Sequence, residues 1–326
     1  MHYALVHLTI GLAIQGSYIY PTMPLVLYSS SFHFFDPAAP KQLSPGDHFV
    51  NIMSGKLKRS CLVHIPKSYN PINPSPMVLV FHGAGTNAAM TVSFTGMNKK
   101  ADAEGFIAVY PNGTGAGPFL TWNAGVLQGD MASGKPDDVA FINQLLEDLS
   151  GQINLNKKRI YATGISNGAM MCYKLASELG SKIAAIAPVA GTMGLDEVKL
   201  KQPLPVLHFH GTDDTFVPIE GPNSRTPKFM KFKSAEDTAL IWAKANNCNL
   251  TCKEFDSKLL VDDGTKIKNK LYSNPVNGTE VHLIIIEGGG HTWPGMPPMV
   301  NFIGKSTKNI SANDKIWEFF KKYQLQ

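Results

Sequence analysis

Three side chains far apart in the chain could together carry out acyl transfer: Ser166, an aspartate at 213 or 214, and His291. A serine hydroxyl is a weak nucleophile near neutral pH, so it needs a base beside it and an acid to orient that base. Ser166 lies in Gly164-Ile165-Ser166-Asn167-Gly168, a G-x-S-x-G pattern. In a chain with 29 glycines the pattern alone is weak, and its flanks give it meaning. Residues 159–163 read as a strand, and residues 169–179, rich in helix formers and free of Pro and Gly, read as a helix. A tight turn between strand and helix lifts the hydroxyl clear of the sheet, while the glycines remove side chains that would obstruct the turn or an incoming ester.

When the acid and base follow the serine in the order Ser, Asp or Glu, His, most of the ten histidines are excluded. His282 falls inside the apolar run 281–286 and reads as a strand residue. His291 follows Gly288-Gly289-Gly290 directly after that run, where an imidazole has room to turn, so the base is assigned to His291. The acid belongs to Gly211-Thr212-Asp213-Asp214, after the strand at 204–209. Either aspartate can reach the imidazole, and the other would shape the turn through its own backbone hydrogen bonds. The tetrahedral intermediate needs amide donors aimed at its oxyanion. One is expected at the backbone N–H of Asn167, the other in His82-Gly83-Ala84-Gly85, at Ala84. The pair His208-x-His210 shares a strand face but lacks a third ligand at suitable spacing, so no metal site is expected.

The elements that must position these residues alternate along the chain. Residues 49–52 and 62–65 read as an early hairpin. Continuous apolar runs at 77–81 and 106–110 suit strands buried on both faces. A helix from Asp137 opens with two acids that suit its dipole, and further strands at 183–189, 204–209 and 282–286 are joined by helices at 235–246 and 311–322. This alternation predicts an α/β fold with a mostly parallel sheet covered on both faces.

Bulk properties narrow the function classes. The chain has 326 residues, 44% of them hydrophobic and 17% charged, which describes a globular enzyme-like chain. The formal charge of +5 is mild and its lysines are scattered without interleaved aromatics, so no nucleic-acid partner is expected. Residues 4–14 are almost wholly apolar, too few to span a bilayer, and Gly16, Pro21 and Pro24 prevent the run from continuing. Residues 1–20 therefore read as a secretory signal peptide that lacks a basic leading region, residues 21–44 as a lead-in, and residues 45–326 as one catalytic domain. Cys248 and Cys252, four apart, would suit a local disulfide in an oxidising compartment, while Cys61 and Cys172 read as buried thiols. Sequons stand at Asn112, Asn249, Asn277 and Asn309. The sequence leaves the oligomeric state open.

Several ordered motifs together resemble the secreted polyhydroxybutyrate depolymerase-like esterases, a family that also holds feruloyl esterases. They are Phe81-His82-Gly83, Pro111-Asn112-Gly113-Thr114, Trp122-Asn123, Asp137-Asp138-Val139, residues 164–171, His210-Gly211-Thr212-Asp213-Asp214 with Val217-Pro218, and His291-Thr292-Trp293-Pro294. The resemblance runs from about residue 45 to the end. It implies an α/β-hydrolase fold, no metal or organic cofactor, and Asp214 as the acid that closes the G-T-x-D turn. Cysteines adjoin the serine and histidine in tannase-type feruloyl esterases; here Ile165 and Gly290 stand there, which argues against that branch. Trp122 and Trp293 fall in matching motifs and are expected to wall the acyl or alcohol site. The expected substrate is a small or oligomeric ester, with hydroxyalkanoate oligomers first and feruloyl or acetylxylan esters as the alternative. A catalytically silent binding protein on the same scaffold is the reading of another class.

Overall fold

The computed structural model describes residues 42–326, which fall in one compact unit; the signal-peptide reading and nearly all of the lead-in lie outside the described residues. In chain order the strands are β1 (Gly46–Ser54), β2 (Leu57–Ile65), β3 (Ser75–Phe81), β4 (Ile107–Pro111), β5 (Thr114–Ala116), β6 (Phe119–Thr121), β7 (Leu155–Ile165), β8 (Ala185–Val189), β9 (Val206–Gly211), β10 (Lys253–Asp256), β11 (Lys266–Ser273) and β12 (Glu280–Glu287). The α-helices are α1 (Ala88–Thr95), α2 (Met97–Glu104), α3 (Asp138–Ser150), α4 (Asn167–Glu178), α5 (Ala235–Ala245) and α6 (Ala312–Phe320).

Ten of the strands form one sheet in the order β1-β2-β4-β3-β7-β8-β9-β12-β11-β10. The stretch from β4 to β12 is parallel throughout, and antiparallel pairs finish both sides. This is the α/β-hydrolase architecture. Side-chain alternation divides the core in two. Met77, Leu79 and Phe81 of β3 pack with Phe141 of α3, Met170 of α4 and Trp242 of α5, whereas Val78 and Val80 pack with Phe94 of α1, Met97 of α2 and Phe320 of α6. A strand buried on both faces must be apolar at every position, which is why these strands read as unbroken hydrophobic runs.

Local signals set the helix ends. Asp137 caps α3 by accepting from the Ala140 N–H at 2.9 Å, and Ser234 and Ser311 cap α5 and α6 in the same way. Asp138 has a different part from the dipole role read in the sequence. It is fully buried, pairs with Arg59 at 2.7 Å, and accepts the backbone N–H of Asn123 at 2.7 Å. The expected Cys248–Cys252 disulfide is not formed. The Cys248 thiol turns inward toward the Thr279 carbonyl, and that of Cys252 faces Glu254. Cys61 and Cys172 are buried thiols, and burial pushes Cys61 up to about 12. Among the described residues no helix is long and apolar enough to cross a membrane.

Candidate active site

Ala84, Ser166, Asp214 and His291 each lie in the turn or loop that follows the carboxyl end of a parallel strand. β7 ends at Ile165, and Ser166 takes φ 57° and ψ −123° before α4 begins at Asn167. A side-chain-bearing residue rarely adopts a positive φ of this kind, and here it produces the sharp turn that projects the hydroxyl. The turn has to pass close beneath β3. A Cβ on Gly168 would lie 2.4 Å from the Phe81 carbonyl oxygen, and one on Gly164 would lie 2.7 Å from Phe81 Cβ. Both glycines of the motif are thus fixed by backbone contact, independently of any ligand.

β9 and β12 are neighbours, so the loops that follow them meet although 77 residues separate Asp214 from His291. The two loops are joined along their backbones: Thr212 N–H donates to Ile286, Asp213 N–H to Gly289, and Gly288 N–H to the Thr212 hydroxyl. The His291 ring donates from Nδ1 to Asp214 Oδ2 at 2.7 Å. The other carboxylate oxygen of Asp214 accepts the N–H groups of Phe216 and Val217, each at 2.9 Å. Asp214 is 4% exposed while Asp213 faces solvent, so only the second aspartate of the pair meets the imidazole. His282 sits within β12 and bonds to Asn269 at 3.0 Å, well integrated in the sheet.

Ser166 and His291 line the same cavity, of about 280 Å³. Among the described residues no direct hydrogen bond joins the two side chains. Ala84 is exposed on the same wall. Among the described residues, neither the Ala84 N–H nor the Asn167 N–H donates to another backbone group.

Trp122 is a correction to the sequence expectation. It is 1% exposed and takes no part in the cavity wall. Its indole N–H donates to the His82 carbonyl at 3.0 Å and its ring meets Phe81 edge-on, which seals it beneath the loop that follows β3. Its backbone N–H donates to Asn167 Oδ1 at 2.7 Å, so Trp122 holds the side chain of the residue that follows Ser166. His82 completes this support. Its Nδ1–H donates to Gly83 and its Nε2 accepts the Gly113 N–H at 2.9 Å. Burial lowers His82 to about 4, which keeps Nε2 an acceptor. Trp293 does line the cavity, with its indole N–H fixed on Asn313 at 2.9 Å.

Other parts of the wall carry no motif. Phe94, Phe216, Phe302 and the segment Pro297, Pro298, Met299 and Val300 make the cavity apolar. Phe216 lies over the His291 ring with centroids 5.2 Å apart. Its place two residues after Asp214 was the only available sequence signal, and Phe302 had none. Next to this cavity, and sharing Phe94, Pro297 and Met299, runs an open cleft lined by Met90 and Met296.

Comparison with known proteins agrees with this arrangement. The family model described as "Esterase PHB depolymerase" matches residues 62–201. A protein named "Putative esterase NocK" from Nocardia uniformis subsp. tsuyamanensis is 30% identical over 256 residues, covering 75% of this chain and 73% of that protein. The chain belongs to the PHB depolymerase esterase family. Feruloyl esterase B of Piromyces equi is 29% identical over 72% of this esterase, which spans only 42% of that longer relative. Among solved structures, an acetyl xylan esterase from Aspergillus awamori superposes with a TM-score of 0.55 at 14% identity, over 84% of this chain and 99% of the other; at that identity the likeness concerns the fold. This member of the family is a serine esterase with the α/β-hydrolase fold.

Proposed function

We propose that this esterase hydrolyses carboxylic esters through Ser166, with His291 as base and Asp214 as its orienting acid. The observation that carries this reading is the 2.7 Å bond between His291 and a buried Asp214, in a cavity that Ser166 shares. His291 takes the Ser166 proton as the hydroxyl attacks the carbonyl. The oxyanion is held by the N–H groups of Ala84 and Asn167, and the imidazolium returns the proton to the departing alcohol. Water then opens the acyl-enzyme with His291 again as base. The domain running from about residue 45 acts as a secreted enzyme, with residues 1–20 as its export signal.

The apolar wall supports an uncharged acyl group. Hydroxyalkanoate oligomers suit it, because the neighbouring methionine-lined cleft can take the next apolar unit of the chain. A feruloyl ester is the second reading, supported by the aromatic rings of Phe94, Trp293, Phe216 and Phe302. Steady-state kinetics on hydroxybutyrate trimer, methyl ferulate and acetylated xylan decide between them. The trimer should give the highest kcat/KM, and a higher value for methyl ferulate would reverse the order.

Ser166→Ala should lower kcat by about 10⁴-fold or more and abolish labelling by a fluorophosphonate probe. A mutant that keeps most of its activity on short acyl esters removes Ser166 as the nucleophile. Failure of the wild-type protein to label would favour a silent binding scaffold.

A further inference from the structure

Behind the acid lies a row of polar side chains that the acyl-transfer steps do not use. The hydroxyl of Tyr173, on α4, is 2.5 Å from Nδ1 of His208, on β9. Nε2 of His208 is 2.9 Å from Nδ1 of His210, and Nε2 of His210 is 2.8 Å from the Val217 carbonyl oxygen. The two imidazoles stack at 5.2 Å with their planes 15° apart. All three side chains are buried, with His210 fully so. Trp242 of α5 packs on Tyr173, and Leu283 and Ile285 of β12 lie beside the two histidines in register. The charged or titratable groups near the row are Asp214, His291 and the Cys172 thiol.

One arrangement of protons satisfies this row. The Val217 carbonyl can only accept, so His210 carries its proton on Nε2 and its Nδ1 must accept. His208 therefore donates from Nε2, leaving Nδ1 to accept from the tyrosine hydroxyl. Each group uses its capacity toward the next, and none is left over. The same His210 Nε2 lies 3.6 Å from Asp214 Oδ2, the oxygen that holds His291. The Val217 peptide, in turn, gives its N–H to the other oxygen of Asp214. The acid loop is thus held from both sides of a single residue.

We propose that Tyr173, His208 and His210 form a proton-ordered row that positions the acid loop, presenting one fixed N–H to the Val217 carbonyl and to the flank of Asp214. The inference rests on the reading of Asp214 and His291 as acid and base. Burial holds both imidazoles below the usual histidine range, so the row stays neutral while the enzyme works. His210 and its neighbours touch no substrate; they set the direction in which the carboxylate faces His291. A row with mobile protons would let the carboxylate and the Val217 peptide turn, and small misplacement of a catalytic pair is costly in rate.

Two experiments test this, the first without reference to activity. In ¹⁵N-histidine-labelled Ser166→Ala protein, long-range ¹H–¹⁵N spectra at about pH 7.5 should show His208 and His210 as neutral rings in the Nε2–H tautomer. An Nδ1–H tautomer, or a doubly protonated ring at that pH, overturns the proposal. This outcome does not depend on whether Ser166 is the nucleophile. The second compares His210→Phe, His210→Gln and Tyr173→Phe in the enzyme that keeps Ser166. His210→Phe should lower kcat about tenfold or more with KM changed less than about twofold, and His210→Gln, which can still donate, should recover part of the loss. Tyr173→Phe removes only a hydroxyl and tests the row if His210→Phe does not fold: the Val217 carbonyl still fixes both imidazoles, so His208 should keep its Nε2–H while its unpartnered Nδ1 resonance shifts. A folded His210→Phe variant with wild-type kcat, or an Nδ1–H His208 in folded Tyr173→Phe, overturns the proposal. Loss of the Asp214 assignment itself would appear separately, as full activity in Asp214→Asn.

Discussion

Two adjacent aspartates differ here only in where the turn points them. Asp214 is buried against His291, and Asp213 stands in solvent with one oxygen taking the Thr212 hydroxyl. Asp214→Asn should therefore cut kcat by about 10⁴-fold, because the amide favours the wrong imidazole tautomer, while Asp213→Asn should change it less than about twofold. Equal losses in kcat for the two variants would remove Asp214 from its place. The places of Ser166 at a strand-to-helix turn and of His291 in the loop after β12 were legible in the sequence, because an apolar run before a G-x-S-x-G and a glycine run after a strand mark those turns. The choice between the aspartates was not, since burial depends on the loop partner 77 residues away. The tryptophans teach the same limit. Both occur in matching motifs, yet Trp293 lines the cavity and Trp122 is sealed under His82. A motif marks a position that the fold uses, without saying whether the side chain faces ligand or protein.

At the level of elements, the elbow between β7 and α4 depends on backbone passing over backbone. Gly168→Ala places a methyl 2.4 Å from the Phe81 carbonyl oxygen and 2.5 Å from that of His82, so neither flexible side chain nor water can yield. The variant should lose about 3 kcal/mol in urea denaturation, or fail to accumulate as soluble protein, and near-wild-type stability would contradict the described approach. Long apolar strands and amphipathic helices such as α3 and α6 could be read directly from periodicity. α1 could not. Its sequence Ala-Ala-Met-Thr-Val-Ser-Phe-Thr has no clear polar face, and its ends are set by the Asn87 cap and the left-handed Gly96. The β5–β6 hairpin and the exposed β10 were equally silent, because short strands of mixed polarity carry no period long enough to detect. Yet that hairpin matters, since the Gly85 N–H donates to the Leu120 carbonyl at 2.8 Å and so steadies the loop after β3.

For the molecule as a whole, burying neutral imidazoles couples folding to acidity. His82, His208 and His210 are held below the ordinary histidine value near 6.5 by burial, His82 to about 4. Below that ordinary value the unfolded chain binds protons that the folded chain refuses, so stability falls as pH drops toward the folded values. Each such histidine costs about 1.4 kcal/mol per pH unit over that interval. Thermal melts between about pH 7.5 and 4.5 should show a midpoint that declines below about pH 6.5, and a flat profile would mean that these rings are charged in the native state. The alternation of strands and helices was enough to give the architecture, because a parallel sheet leaves few other ways to bury so many apolar runs. One margin of that sheet has a further consequence. β10 is exposed along its whole length and carries Lys253, Glu254 and Asp256 on its four residues. A second molecule that tried to add its own strand there would have to strip these charges of water, so this border resists templated growth into fibrils.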